Sequence, residues 1–108
     1  MKRHHIDEFT RGWFIGHFDP VVLKTGAFEV AYKTVRHGHR EPKHIHHIAT
    51  EYSLIVTGQL LVNGRVFNAG EMFIAEPGEA IGARSLANQT GVVVVKAPSV
   101  PNDKEVVG

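Results

Sequence analysis

The sequence predicts an all-β domain, and three observations support this prediction. Short runs rich in β-branched and aromatic residues recur along the chain, turn residues separate them, and no window shows the apolar stripe of an amphipathic helix. The 108 residues, 43% of them hydrophobic, suffice for one buried core and not for a second. We therefore expect a single domain over residues 1–108, built as a small barrel or sandwich.

The two ends of the chain are less regular than its middle. The first twenty residues are expected to contribute an edge strand around Trp13, Phe14 and Ile15. Residues 27–36 alternate between two faces, with Phe28, Val30, Tyr32 and Thr34 on one of them, and predict the first long strand. Residues 98–108 contain two prolines and mixed charges, and we expect an irregular tail there.

A hairpin is predicted around Asn63 and Gly64. Both residue types tolerate a positive φ, and the Asn-Gly pair is favoured in two-residue turns between antiparallel strands. Turn residues also separate the later apolar runs. The predicted strands from the hairpin onward are residues 59–62, 65–68, 72–75, 81–86 and 92–97.

Composition excludes several classes of function. The formal net charge is +1, so no overall field draws the chain to nucleic acid or to an anionic membrane. The chain has no cysteine, which excludes disulfides, thiolate metal sites and cysteine nucleophiles. No apolar run is long enough to span a bilayer, and the amino terminus lacks the apolar segment of a signal peptide. The expected location is the cytoplasm.

One segment carries most of the functional information, the stretch from Gly38 to Gly58 that contains His44, His46 and Glu51. Residues two apart in an extended segment point to the same face, so the two imidazoles can converge on one ion. Glu51 is out of phase with them, so the chain must turn or bulge before the next strand begins. Two imidazoles and a carboxylate form a ligand set for a divalent transition metal.

With this spacing, Gly38 to Gly58 resembles the first conserved motif of the cupin superfamily, position for position. Gly70, with Pro77 and Gly78, resembles the opening of the second motif. The resemblance covers roughly residues 28–97. It implies a double-stranded β-helix, an RmlC-like jelly-roll barrel, whose mouth holds the ligand.

The second motif departs from the cupin pattern. Metal-binding cupins usually take a third histidine from the strand after the Pro-x-Gly turn, and that position falls at about Ile81 here. No histidine follows His47 in the chain. The resemblance therefore implies a site of His44, His46 and Glu51 completed by water or substrate, and holding iron, zinc, manganese or nickel. Glu76 or Glu79 could add an oxygen from the next turn, and the spacing selects neither.

Three functions remain open on the sequence. The first is a metal-dependent cupin that binds a small polar metabolite at the barrel mouth, as an enzyme or as a binding protein. The second is a binding or sensor module in which His44 and His46 are polar pocket residues without metal. The third is a metal-free sugar isomerase or epimerase, with one of these histidines as the base and Tyr32 or Tyr52 as the acid.

A homodimer is the expected assembly. Small cupins commonly pair through a sheet edge, and a partner strand would cover the apolar segment at Trp13, Phe14 and Ile15.

His47 points away from His46 in an extended chain and is expected at the surface or behind the ligands. A narrower resemblance, to a group of small single-domain cupins, brings no activity with it.

Overall fold

Two β-sheets face each other across a common interior in this computed structural model, which describes residues 1–108. Two short 3-10 helices, Ile6–Glu8 and Thr10–Gly12, precede the strands. Eleven strands follow in chain order. They are β1 (Trp13–Gly16), β2 (Leu23–Lys24), β3 (Glu29–Arg36), β4 (Arg40–His46), β5 (Thr50–Thr57), β6 (Gln59–Val62), β7 (Arg65–Asn68), β8 (Met72–Ala75), β9 (Ile81–Ser85), β10 (Gln89–Ala97) and β11 (Lys104–Val106).

The strand order is that of a double-stranded β-helix. One sheet has six strands in the order β2-β1-β3-β10-β5-β8, and the other has five in the order β11-β4-β9-β6-β7. From β3 onward the chain passes between the two sheets at every connection except the β6–β7 hairpin, which closes the domain into a flattened barrel. The apolar core lies between the sheets and fills one end of this barrel, with Ala31, Val35, Ile55, Leu60, Val62, Ala75, Ile81, Val92 and Val94 as its buried members.

The predicted hairpin is present between β6 and β7. Asn63 and Gly64 have φ values of 49° and 79°, the left-handed conformation that this turn requires. The Asn63 side chain also holds the hairpin against β9, because its amide donates to the Ala80 carbonyl at 2.8 Å and its oxygen accepts from the Gly82 amide at 3.0 Å.

The alternation along β3 divides the strand between the interior and the solvent. Ala31 and Val35 are buried between the sheets, and Glu29, in phase with them, is only 8% exposed. The larger residues Val30 and Tyr32 therefore lie on the outer face. The strand begins at Glu29, two residues after its predicted start.

The carboxyl-terminal segment is not the irregular tail that the sequence predicts. Residues 104–106 form β11, which pairs antiparallel with β4 and places Lys104 opposite His46. Without β11, the peptide groups along that side of β4 would be left unpaired at the edge of the sheet. Pro98 and Pro101 both precede the strand, so neither interrupts its hydrogen bonds.

The amino-terminal strand also differs from its prediction. β1 does form around Trp13, but it pairs with β3 on one side and with β2 on the other, so it is not at the edge. A bulge between Trp13 and Ile15 shifts the register. The short β2, which the sequence analysis did not predict, occupies the edge.

No helix in the structure has the length and apolar character needed to cross a membrane.

Candidate metal centre

The β4 strand presents His44 and His46 to the barrel interior, as their spacing predicts. Their side chains are 8% and 5% exposed, and their rings meet edge to face with centroids 5.1 Å apart. A shift in register between Glu41 and His44 bends β4 just before the pair, at Pro42, which has no amide hydrogen for the ladder.

A three-residue crossover brings Glu51 to the two histidines. Residues 47–49 connect β4 in one sheet to β5 in the other, which is the turn that the spacing requires. Asp103 fixes this connection, since its carboxylate accepts hydrogen bonds from the amides of Ile48 and Ala49, each at 2.9 Å. Its carbonyl also accepts from the His47 amide at 3.2 Å. The buried Asp103 therefore holds the backbone between the predicted ligands.

Glu51 lies beside His46 in the completed site. Its Oε1 is 3.1 Å from Nε2 of His46, and its Oε2 accepts a hydrogen bond from the Ser53 hydroxyl at 2.9 Å. Burial alone would raise the pKa of Glu51, but these two hydrogen bonds outweigh it and bring the pKa below its usual value. The carboxylate is therefore held in the charged form that binds cations.

His44 is fixed in the tautomer that a metal ligand needs. Its Nδ1 lies 2.9 Å from the Pro42 carbonyl, which can only accept, so Nδ1 carries the hydrogen and Nε2 has the free lone pair. Burial lowers the pKa of His44 and so favours the neutral ring, and the hydrogen bond to the Pro42 carbonyl only partly opposes this effect. An imidazole oriented by a backbone carbonyl is the usual arrangement in metal sites.

The three side chains fit a metal ion. One donor atom from each lies within 4.8 Å of the other two. Donor atoms about 2.1 Å from one ion lie roughly 3 Å apart when they subtend a right angle. Nε2 of His46 and Oε1 of Glu51 are 3.1 Å apart, so an ion bound between them would take the place of the proton in their hydrogen bond. His46 Nδ1 is buried without a hydrogen-bond partner. The set of two imidazoles and a carboxylate suits iron, zinc, manganese or nickel.

Ile81 stands at about the position at which the cupin resemblance implies a third histidine. This residue lies opposite His44 on the neighbouring strand β9, is 7% exposed and lines the same cavity. Its side chain cannot ligate an ion, so β9 contributes no ligand at this point.

Several other candidate residues lie outside the site. Glu76 and Glu79 are exposed at the turn before β9 and do not line the cavity, so neither completes the ligand set. His47 is at the surface, where its Nε2 lies 3.0 Å from Glu105. Tyr32 and Tyr52 do not line the cavity either, so no tyrosine is placed to act as an acid opposite the histidines.

A cavity of about 760 Å³ opens beside the three ligands. A row of charged side chains crosses its wall, because Glu29, Lys96 and Glu51 are register partners on the adjacent strands β3, β10 and β5. Lys96 Nζ lies 3.8 Å from Glu29, and both side chains are largely buried. Burial lowers the pKa of Lys96 and raises the pKa of Glu29, each opposed by the charge of the other.

The Trp13 ring adds an aromatic surface to the cavity wall. The ammonium groups of Lys96 and Lys33 lie 4.8 Å and 5.3 Å from its ring centre, within the range of cation–π attraction. Lys33 also lies 3.7 Å from Glu41, which is on β4. The cavity therefore combines the predicted ligands with two lysines that have both carboxylate and aromatic neighbours.

Sequence reasoning missed the contributions of Glu29, Lys96, Asp103 and Trp13. A signal for the first two was present, because Glu29 is in phase with the small buried Ala31, and Lys96 is in phase with Val94. A charged residue on the buried phase of a strand indicates a polar interior. Asp103 carried no comparable signal, since its role depends on a contact with residues 47–49, more than fifty positions away.

Neither a protein-family model nor a curated protein sequence matches this chain. Solved structures do match it. A conserved protein with a double-stranded β-helix domain from Klebsiella pneumoniae has a TM-score of 0.72 and 24% identity, over 98% of this chain and 91% of that one.

Two further structures are similar over a smaller part of this chain. An RmlC-like cupin with a double-stranded β-helix fold from Methanocaldococcus jannaschii has a TM-score of 0.65 and 16% identity, over 69% of this chain and 73% of that one. An oxalate oxidase has a TM-score of 0.67 and 26% identity, over 75% of this chain and 46% of that one. The matched part therefore spans less than half the length of the oxalate oxidase.

Proposed function

Because this chain has the double-stranded β-helix fold of the cupins, we propose that it binds one divalent transition-metal ion through His44, His46 and Glu51. The ion would be iron, zinc, manganese or nickel, and a small polar metabolite would bind beside it in the cavity. The observation that carries the proposal is the convergence of the three donor atoms within 4.8 Å of one another on buried, oriented side chains.

The local contacts support metal binding over a set of ordinary pocket residues. The hydrogen bond from Nδ1 of His44 to the Pro42 carbonyl leaves the lone pair of His44 on Nε2. The Ser53 hydroxyl donates a hydrogen bond to Oε2 of Glu51. Both contacts are of the kind that orients ligands in metal sites. Asp103 also supports the site, because its carboxylate fixes the crossover between the two strands that carry the proposed ligands.

The cavity determines what the metabolite would contact. When bound, the ion supplies a Lewis acid for an oxygen of the metabolite or for a water molecule. The side chain of Ile81 leaves the adjacent side of the site free of protein ligands. Lys96 and Lys33 would donate hydrogen bonds to the polar groups of the metabolite, and the Trp13 ring would exclude water from its apolar part.

The size of the cavity fits a small molecule. A volume of about 760 Å³ lies within the usual range for ligand pockets, which is roughly 300–1,000 Å³. Its wall carries lysines and carboxylates in neighbouring positions, so a ligand with hydroxyl or carboxylate oxygens would find partners on it. One of the solved structures of similar fold is an oxalate oxidase, named for a small dicarboxylate. A small oxygen-rich metabolite is the class we propose here.

The test is elemental analysis of the purified protein without a histidine tag. We expect close to one equivalent of iron, zinc, manganese or nickel per chain, and loss of that metal in the His44→Ala, His46→Ala double variant. The matched control is the His37→Ala, His47→Ala double variant, which also removes two histidines. His37 and His47 are both exposed and do not line the cavity, so this variant should retain the metal.

Folding of the variants is checked by circular dichroism and thermal unfolding, so that loss of metal is not confused with loss of structure. Metal that persists in a folded His44→Ala, His46→Ala variant would contradict the assignment of the ligands. A wild-type protein that takes up none of the four metals after incubation with excess ion would contradict metal binding and favour a metal-free binding module.

A further inference from the structure

We propose that the solvent-facing side of the six-stranded sheet is a homodimer interface, in which two copies of this chain stack face to face. This side, called the outer face below, is the surface of β2, β1, β3, β10, β5 and β8 that points away from the cavity. It differs from the sheet edge at which the sequence analysis expected a dimer, although Ile15 belongs to both surfaces.

The outer face carries an unbroken apolar row across all six strands. Each member is the register partner of the next one, so their side chains lie side by side on the same surface. The row consists of Leu23, Ile15, Val30, Val95, Tyr52 and Ile74.

A second apolar row runs beside the first. Tyr32 on β3, Val93 on β10, Leu54 on β5 and Met72 on β8 are register partners in that order. The rows on either side contain Ala97 and Thr50 at one end and Thr34, Gly91 and Thr57 at the other, which are all uncharged.

Four of these ten residues are exposed in the single chain, and the other six are half-buried. Leu23 is 50% exposed, Tyr52 is 45%, Met72 is 61% and Ile74 is 52%. The antiparallel sheet of a monomer usually has polar residues on its solvent side, whereas the outer face of this sheet carries two apolar rows. A contiguous apolar patch of this kind on a protein surface marks an interaction site.

A second copy of the chain is the occupant that the face itself indicates. The two rows present apolar side chains without charge, and the same face of a second copy supplies a complementary apolar surface under twofold symmetry. Two stacked sheets pack about 10 Å apart with their apolar side chains interdigitated, so the assembly would bury both rows of each copy. A charged or polar partner would leave its own groups unpaired against this face.

The area is sufficient for a specific dimer. Six strands about 4.8 Å apart span roughly 24 Å, and four rows of residues about 6.8 Å apart span roughly 20 Å. Each face therefore covers on the order of 500 Å², and two faces bury on the order of 1,000 Å², the lower limit for a specific interface. We expect a dimer that forms at micromolar concentration.

The outer face lies directly behind the candidate metal centre. Tyr52 follows Glu51 on β5, and Val95 precedes Lys96 on β10, with the members of each pair on opposite sides of the sheet. Substitutions on the outer face therefore change the dimer surface without removing a group from the cavity. The inference does not depend on the proposed metal binding.

The test is sedimentation equilibrium of the untagged protein and of single lysine variants. We expect a dimer at micromolar concentration for the wild type and a monomer for Tyr52→Lys and for Ile74→Lys. The matched control is Val66→Lys, because Val66 is 49% exposed on β7 in the other sheet. This variant should remain a dimer. Circular dichroism verifies that each variant is folded. If Tyr52→Lys or Ile74→Lys fails to fold, Met72→Lys takes its place.

Two results would overturn the inference. A wild-type protein that stays monomeric through the micromolar range would mean that the outer face does not bind a second copy of the chain. A dimer that persists in folded Tyr52→Lys, Ile74→Lys and Met72→Lys variants would mean that the chains associate through a different surface.

Discussion

Ile81 lies directly opposite His44 on neighbouring strands, and both side chains line the cavity. It stands at about the position at which metal-binding cupins usually supply a third histidine. The proposed metal site is therefore one imidazole short of that pattern, and the residue that could supply it is already in register with a ligand.

Replacing Ile81 with histidine is expected to strengthen metal binding. A third imidazole beside His44 would add a ligand to a site with two histidines and a carboxylate, and we expect an affinity increase of about tenfold or more, equal to ~1.4 kcal/mol. Isothermal titration with zinc or manganese measures the change. The control is Ile81→Phe, which brings a ring without a donor atom. An Ile81→His protein that is folded and binds metal no more tightly than wild type would contradict the proposed location of the site.

Replacing Asp103 with alanine is expected to destabilise the fold and weaken metal binding. The change leaves the buried amide of Ala49 and the amide of Ile48 without their acceptor, at a cost of about 1–3 kcal/mol in the free energy of unfolding. Because these amides belong to the crossover between the ligand-bearing strands, metal affinity should fall as well.

Urea denaturation and metal titration measure the two effects of the Asp103 change. Glu105→Gln is the control, since Glu105 lies on the adjacent β11 and makes only an exposed pair with His47. Equal stability of Asp103→Ala and wild type would show that the crossover holds without this carboxylate.

Replacing Lys96 with methionine is expected to destabilise the protein by roughly 3 kcal/mol. The substitution keeps most of the side-chain length but leaves Glu29 buried without its cationic partner. The Glu29→Gln, Lys96→Met double variant removes both charges and should recover a large part of this loss. A double-mutant cycle in urea measures the coupling. Additive effects of the two changes would mean that the groups do not interact.

The stability of the protein is expected to depend on pH through Glu29. Burial raises the pKa of Glu29 in the folded state, so the folded chain binds its proton more tightly than the unfolded chain. The stability that this proton contributes is present at low pH and is lost as the pH rises from about 4.5 through the higher folded-state value.

The measurement is the stability of wild type and Glu29→Gln between pH 4 and pH 7. Glutamine cannot titrate, so wild type should lose stability relative to the variant as the pH rises through this interval. Comparing the two proteins cancels the contributions of groups that both contain. A difference that is constant with pH, or that changes in the opposite direction, would contradict the raised pKa of Glu29.

Features that depend on neighbouring residues were predictable from the sequence. The Asn63-Gly64 turn requires only residues that tolerate positive φ, and the shared face of His44 and His46 follows from the period of a strand. The departure of Glu51 from that phase also indicated a turn, and the structure has the crossover there.

Features that depend on which strands become neighbours were not predictable in the same way. The row of Glu29, Lys96 and Glu51 arises because β10 lies between β3 and β5, and no local pattern fixes that order. The strand at Lys104–Val106 likewise forms because β4 offers unpaired peptide groups, although its own composition resembles that of a loop. The apolar outer face emerges only when the register of all six strands is known.

The central claim is that one metal ion binds between His44, His46 and Glu51. Anomalous X-ray diffraction from crystals of the untagged protein grown with manganese or zinc tests it most directly, because the anomalous signal locates the ion. We predict one strong peak within bonding distance of Nε2 of His44, a ring nitrogen of His46 and a carboxylate oxygen of Glu51. An absent peak, or one confined to surface residues such as His47 and Glu105, would contradict the account.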